Sequence, residues 1–188
     1  MPGSTSELYL GIDQSLTGTG LCVIDHDARV RVLATVDTKN LRGGIRLAKI
    51  RDAVVDVLTE GQISGAAVEG YSMGSINRPF DLGEVGGVIR LALTDARVSY
   101  NIVAPSVLKL FATGHGHADK ARMLREAETR GACPADDNQA DAYFLACVAR
   151  AVSHGASQPH ELRALRTVTT PRKRRRNKPP RRLVPAAI

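Results

Sequence analysis

LYLGIDQSLTGTGLCVID, residues 8–25, reads as a short apolar strand ending in an acid, a Gly/Thr turn and a second apolar strand. DHDA (25–28) marks the next turn and RVRVLATV (29–36) alternates as a third strand, so the chain opens on an antiparallel meander. The pattern then changes. Leu41, Ile45, Ala48, Val54, Val55 and Leu58 recur at helical spacing, and SGAAVEG (64–70) follows as a short buried strand. Residues 81–96 are helical again, with Leu82, Val85, Ile89 and Leu93 on one stripe, and VSYNIVA (98–104) is a fifth strand. This alternation predicts an α/β chain with parallel crossovers after the meander. Three further helices are predicted over residues 105–114, 118–131 and 140–152, the first opened by Pro105 and stopped by Gly114.

At 188 residues and 43% hydrophobic, the chain has room for one domain with a substantial core and not for two. We expect a domain over residues 1–156 and a disordered basic tail over 157–188. Charge supports that division. Of 26 Lys and Arg, ten lie in residues 162–188, which hold no acid, so the tail is about +10 and the remainder about −3. The run PRKRRRNKPPRR places Arg172, Lys173, Arg174, Arg175 and Arg176 in one block suited to sequence-independent phosphate attraction. No aromatic residue interrupts it, which argues against stacking on unpaired bases. Cys22, Cys133 and Cys147 have unrelated spacings, with neither a disulfide framework nor a CxxC zinc pattern. No stretch approaches the ~18 apolar residues of a membrane span, and the N-terminus lacks a signal-peptide pattern. We therefore expect an intracellular protein without membrane partners.

Carboxylates stand at the ends of two predicted strands, Asp13 and Glu69. A third group, Asp137 and Asp141, lies in DDNQADAYFLA at the start of the last helix. Acids from three distant segments gathered at one place hold divalent cations, because unneutralised carboxylates a few ångströms apart repel. Asp13 and Glu69 become neighbours if the first and fourth strands pair. Asp137 and Asn138 lie four and three residues before Asp141, on the same helix face. Either one of them completes a metal shell, or both are helix N-cap residues.

GIDQSLTGTG (11–20), AVEGY (67–71), the Pro105, Lys109, Gly114, Gly116, Lys120 series and NQADAYFLA (138–146) together resemble the RuvC family of Holliday junction resolvases in the RNase H-like superfamily, and phage-encoded members in particular. The resemblance spans about residues 8–152. It implies an RNase H-like fold: a five-stranded mixed sheet, its first three strands antiparallel, flanked by helices. It also implies a homodimer acting on four-way junctions, with Mg²⁺ or Mn²⁺ as cofactor, two per active site.

Carried over by position, the family's acids fall on Asp13, Glu69, the Asp137/Asn138 pair and Asp141, and its basic residue near the scissile phosphate on Lys120, with Lys109 the second candidate. Tyr71 and Arg78 fall in the region facing DNA. Three departures stand out. Asn138 occupies a place where the family has an acid or His, Gln14 replaces a common Pro, and Ser72 stands where bacterial members have an aromatic wedge. The implied chemistry is hydrolysis of a phosphodiester to 5′-phosphate and 3′-hydroxyl ends. Two alternatives remain at this level: a flap, fork or RNA-processing nuclease of the same fold, and more remotely an actin-like or sugar-kinase ATPase, for which the chain is too short to supply a second domain.

Overall fold

The computed structural model describes residues 7–71 and 79–168. The elements run β1 (Leu8–Asp13), β2 (Gly18–Asp25), β3 (Val30–Asp37), α1 (Gly43–Leu58), β4 (Ile63–Glu69), α2 (Pro79–Asp95), β5 (Tyr100–Val103), α3 (Pro105–Thr113), α4 (Lys120–Thr129), α5 (Asp137–His154) and α6 (Pro159–Leu165). One sheet of order β3-β2-β1-β4-β5 forms, antiparallel across β3, β2 and β1 and parallel from β1 to β4 to β5. It is the expected mixed sheet of five strands.

Strand parity divides the core in two. Leu8, Leu10 and Ile12 of β1, Leu21 and Val23 of β2, and Ala66 and Val68 of β4 pack with Ile50, Val54, Val85, Ile89 and Leu93 of α1 and α2. The alternate residues, Tyr9, Cys22, Ile24 and Ala67, pack under α3, α4 and α5. Each large aliphatic side chain buried in this way contributes about 1.5–3 kcal/mol, which locks the register. A slip of one residue would exchange the two faces. Asp13 and Glu69 share the parity of Tyr9 and Ala67, so this rule places both acids on the α5 side.

Helix α5 lies unusually close to the sheet. Gly11 and Gly20 leave room for it: a Cβ on Gly11 would overlap the Ala142 carbonyl and the Ala146 amide, and one on Gly20 the Asn138 carbonyl. The helix meets them with small residues, Ala142 and Ala146 among them, all buried. Backbone against backbone in this way, α5 brings its first turns directly over the ends of β1 and β2.

Part of the segment expected as a disordered tail carries a helix. Residues 157–168 are folded, and Pro159–Leu165 form α6, with Pro159 in its first turn and a reciprocal cap between Gln158 and Glu161. Glu161 and Ala164 are buried. Glu161 Oε1 accepts from Arg130 Nη1 at 2.9 Å, and Arg130 also donates to the Ala112 carbonyl at 3.1 Å while lying over the Phe144 ring. A half-buried arginine with a carboxylate, a carbonyl and a ring to face ties α6 to α3, α4 and α5. The low apolar content that predicted disorder from residue 157 missed this polar anchor. Residues 169–188, with Arg172, Lys173, Arg174, Arg175 and Arg176, lie outside the described residues, as does Arg78.

Candidate active site

Parallel pairing sets Ile12 opposite Val68, so Asp13 and Glu69 emerge side by side at the carboxyl ends of two central strands. In open α/β sheets that edge is where ligands bind. Asp141 faces them from the second turn of α5. Burial, then the charges of Glu69, Asp141 and Asp137, hold the Asp13 carboxyl well above the usual carboxylate range. The side-chain contact between Asp13 and Glu69 pushes the Asp13 carboxyl further up and draws that of Glu69 down. Burial raises Glu69, with the Asp13 hydrogen bond and the Lys109 charge opposing. Asp141 is pushed up to about 7, by burial first and then by Glu69 and Asp137, against the pull of Lys109 and Lys120.

Three half-buried or buried carboxylates whose charged forms burial disfavours are what a divalent cation relieves. The donors are all oxygen, with no thiolate or imidazole among them, so the set fits a hard cation of the Mg²⁺ or Mn²⁺ type.

The alternative reading of Asp137 and Asn138 as caps is replaced by a third residue. Asp136 is the N-cap of α5: its carboxylate accepts from the Gln139 amide at 2.9 Å and from the Thr35 hydroxyl at 2.8 Å. Asp137 and Asn138 are thereby free, and they diverge. With its amide nitrogen inward, Asn138 donates to Asp13 Oδ2 and to the Gly18 carbonyl, each at 3.2 Å. Asp137 instead pairs with Lys120, the first residue of α4, and that ammonium draws its carboxyl below the usual range. The same contact raises Lys120. Lys109, on α3, acts on both Glu69 and Asp141. Two lysines from consecutive helices thus border an acidic floor.

Tyr71 does not extend freely toward solvent. Its hydroxyl accepts from Arg90 Nη2 at 2.5 Å, and the Arg90 guanidinium lies 5.4 Å from its ring centre. Gln14 is buried and donates from Nε2 to the Glu69 carbonyl at 2.6 Å. Ser72 lies outside the described residues. A separate trio, Asp25, His26 and Asp27, brings potential ligand atoms within 4.8 Å of one another on the β2–β3 turn. Its carboxylates are already engaged, Asp25 by the amides of Asp27 and Arg29 and Asp27 by Arg29 and His26.

Sequence reasoning passed over Asp136 and the tie made by Gln14. The first had a signal: Asp136 precedes Gln139 by three, the spacing of a capping box, although Gln139 Oε1 accepts from the amide of Ala135, one residue before the cap, at 2.9 Å. The second had none, because the contact joins residues 55 positions apart.

Residues 9–149 match the family model described as crossover junction endodeoxyribonuclease RuvC. Curated proteins of that name are similar across the same region. The one from Parvibaculum lavamentivorans is 33% identical over 145 residues, covering 73% of this chain and 83% of the relative. The one from Mycobacterium tuberculosis is 32% identical over 147 residues, covering 73% and 78%. Among solved structures, Thermus thermophilus RuvC superposes with a TM-score of 0.66 at 25% identity, over 81% of this chain and 99% of that one. T. thermophilus RuvC in complex with a Holliday junction substrate gives 0.64 at 25% identity, over 74% and 90%.

Proposed function

Because the chain belongs to the RuvC family of crossover junction endodeoxyribonucleases, we propose that it cuts four-way DNA junctions by metal-assisted hydrolysis at the cluster of Asp13, Glu69 and Asp141. The observation that carries this reading is the convergence of three carboxylates, from two strand ends and one helix, at a site where burial raises all three above the usual carboxylate range.

Asp13, Glu69 and Asp141 hold the cations, with Asn138 beside them as a neutral amide. Mg²⁺ or Mn²⁺ held there, two per site, would supply an activated water and charge stabilisation at the departing 3′ oxygen, and the products would carry 5′-phosphate and 3′-hydroxyl ends. Lys109 and Lys120 sit at the rim, where a phosphodiester approaching the acids needs compensating positive charge. Asp137 keeps Lys120 at that rim in the absence of DNA. A homodimer presents two such sites to the two symmetric strands of a junction, and the basic segment over residues 169–188 adds sequence-independent phosphate contacts.

The test is cleavage of end-labelled four-way junction, fork, flap, duplex and RNA–DNA hybrid substrates in Mg²⁺, Mn²⁺ or EDTA, beside the Asp141→Asn variant. Paired symmetric nicks on the junction that need both metal and Asp141 are expected. Preference for forks, flaps or hybrid would keep the chemistry and replace the substrate.

A further inference from the structure

The β1–β4 ladder ends at the pair Ile12 and Val68, one residue short of the acids. Beyond it a side chain takes over. Gln14, 7% exposed, reaches from the residue after Asp13 to the Glu69 carbonyl at 2.6 Å and so adds one rung to the ladder at the level of the two carboxylates.

The other end of the same amide is incomplete. Gln14 Oε1 is buried without a hydrogen-bond partner among the described residues. It lies over Gly86 of α2, where a Cβ would overlap both this oxygen and the Tyr71 hydroxyl, so the two groups meet above one glycine. The Tyr71 oxygen accepts from Arg90, while its own proton has, among the described residues, only a long contact of 3.4 Å to the Gly83 carbonyl. The two oxygens are not hydrogen-bonded as they stand, but both lie above Gly86, and a small shift of the Tyr71 hydroxyl would give Gln14 Oε1 the donor it lacks.

We propose that Gln14 is a positioning residue for the Asp13 and Glu69 pair, itself clamped by Tyr71 and Arg90 against the glycine face of α2. The inference rests on the reading of Asp13 and Glu69 as metal ligands. It assigns Tyr71 the task of a strut on α2 in place of a base contact. It also gives a reason for a small residue at position 86, since Gly86 alone leaves space for both polar groups.

The experiment compares the full-length protein with Gln14→Met, which keeps the volume and removes both hydrogen-bonding ends, with Tyr71→Phe and with the double variant. Mn²⁺ binding without DNA, followed by electron paramagnetic resonance, is read beside junction cleavage as a function of Mg²⁺, junction affinity in EDTA, and melting temperature. Gln14→Met is expected to weaken Mn²⁺ binding by about tenfold, as loss of a ligand's supporting hydrogen bond does, with EDTA-state junction affinity unchanged and activity rescued by excess metal. Tyr71→Phe is expected to act in the same direction by less, and the double variant to be no worse than Gln14→Met alone. Wild-type Mn²⁺ affinity in Gln14→Met, or penalties that add, would overturn the proposal. If Gln14→Met does not fold, unchanged Mn²⁺ affinity in Tyr71→Phe overturns it equally. Failure of the wild type to cut junctions would instead refute the substrate reading, and the Mn²⁺ comparison would stand apart from it.

Discussion

The amide of Asn138 stands 3.2 Å from Asp13 Oδ2, while the carboxylate of the adjacent Asp137 is turned to Lys120. One residue of helix rotation separates the two by about 100°, so they cannot serve the same point. The neutral side chain faces the acids, and the charged one holds a cation at the edge.

Restoring a carboxylate at the inner position should strengthen the site. Asn138→Asp is expected to lower the Mg²⁺ concentration for half-maximal cleavage several-fold, while Asp137→Asn leaves it within about twofold, on the scale of supporting-residue effects. Loss of metal binding in Asp137→Asn would transfer the ligand role to Asp137.

Without metal the fold should lose stability as pH rises. Asp141 has a native value of about 7 against 3.8 in the unfolded chain, so between those values the native state binds the extra proton. Its stabilising contribution is complete below about 4 and lost as pH passes 7. In EDTA the melting temperature should fall by about 5 °C between pH 5.5 and 8.5. Asp141→Asn should flatten that slope, and Mg²⁺ should raise the melting temperature more at pH 8.5 than at pH 5.5.

Lys109 opposes the protonation of Glu69 and Asp141. Its replacement by Met should shift the acidic limb of the pH–rate profile toward higher pH, since both carboxyls then hold their protons longer. An unmoved limb would confine Lys109 to contact with DNA.

Gly11→Ala should destabilise strongly, by about 3 kcal/mol or more, because the atoms in the way are backbone and cannot swing aside. Gly44→Ala on α1, where a Cβ meets nothing within 4 Å, should instead be neutral or stabilise by up to about 1 kcal/mol. Urea denaturation distinguishes the two.

Truncation separates α6 from the basic segment. Ending the chain after residue 168 should preserve the urea midpoint and flatten the salt dependence of junction binding. Ending it after residue 156 should also lower the midpoint, because Arg130 then loses the buried partner Glu161. Equal midpoints would mean that α6 adds nothing to the fold.

The strands and long helices could be read from periodicity because each buries a continuous face: the wholly buried β1 and β2 declare themselves by composition alone. Asp13, Glu69 and Asp141 were legible for the same reason, being acids set among apolar residues at element ends. Helix α6 was not, since its apolar share is only Ala164 and Leu165, and the rest of its attachment is the ion pair of Glu161 with Arg130 and a capping box, which leave no apolar stripe. Which of Asp137 and Asn138 turns toward Asp13 depends on where α5 begins, and Asp136 caps that start while accepting from Thr35, 101 residues away. Gln14 announced itself as unusual, yet its partners Glu69 and Gly86 come together only through the folded sheet.

The contact of Gly11 and Gly20 with α5 also bears on how such a site changes over generations. Every amino-acid replacement reached by a one-base change at a glycine codon carries a Cβ, and at these two positions there is no room for one. Backbone variation is therefore closed to the lineage at the centre of the site, and the acids inherit a fixed frame. Variation has to enter through side chains on that frame, and the two family departures nearest Asp13, glutamine at 14 and asparagine at 138, are both of that kind.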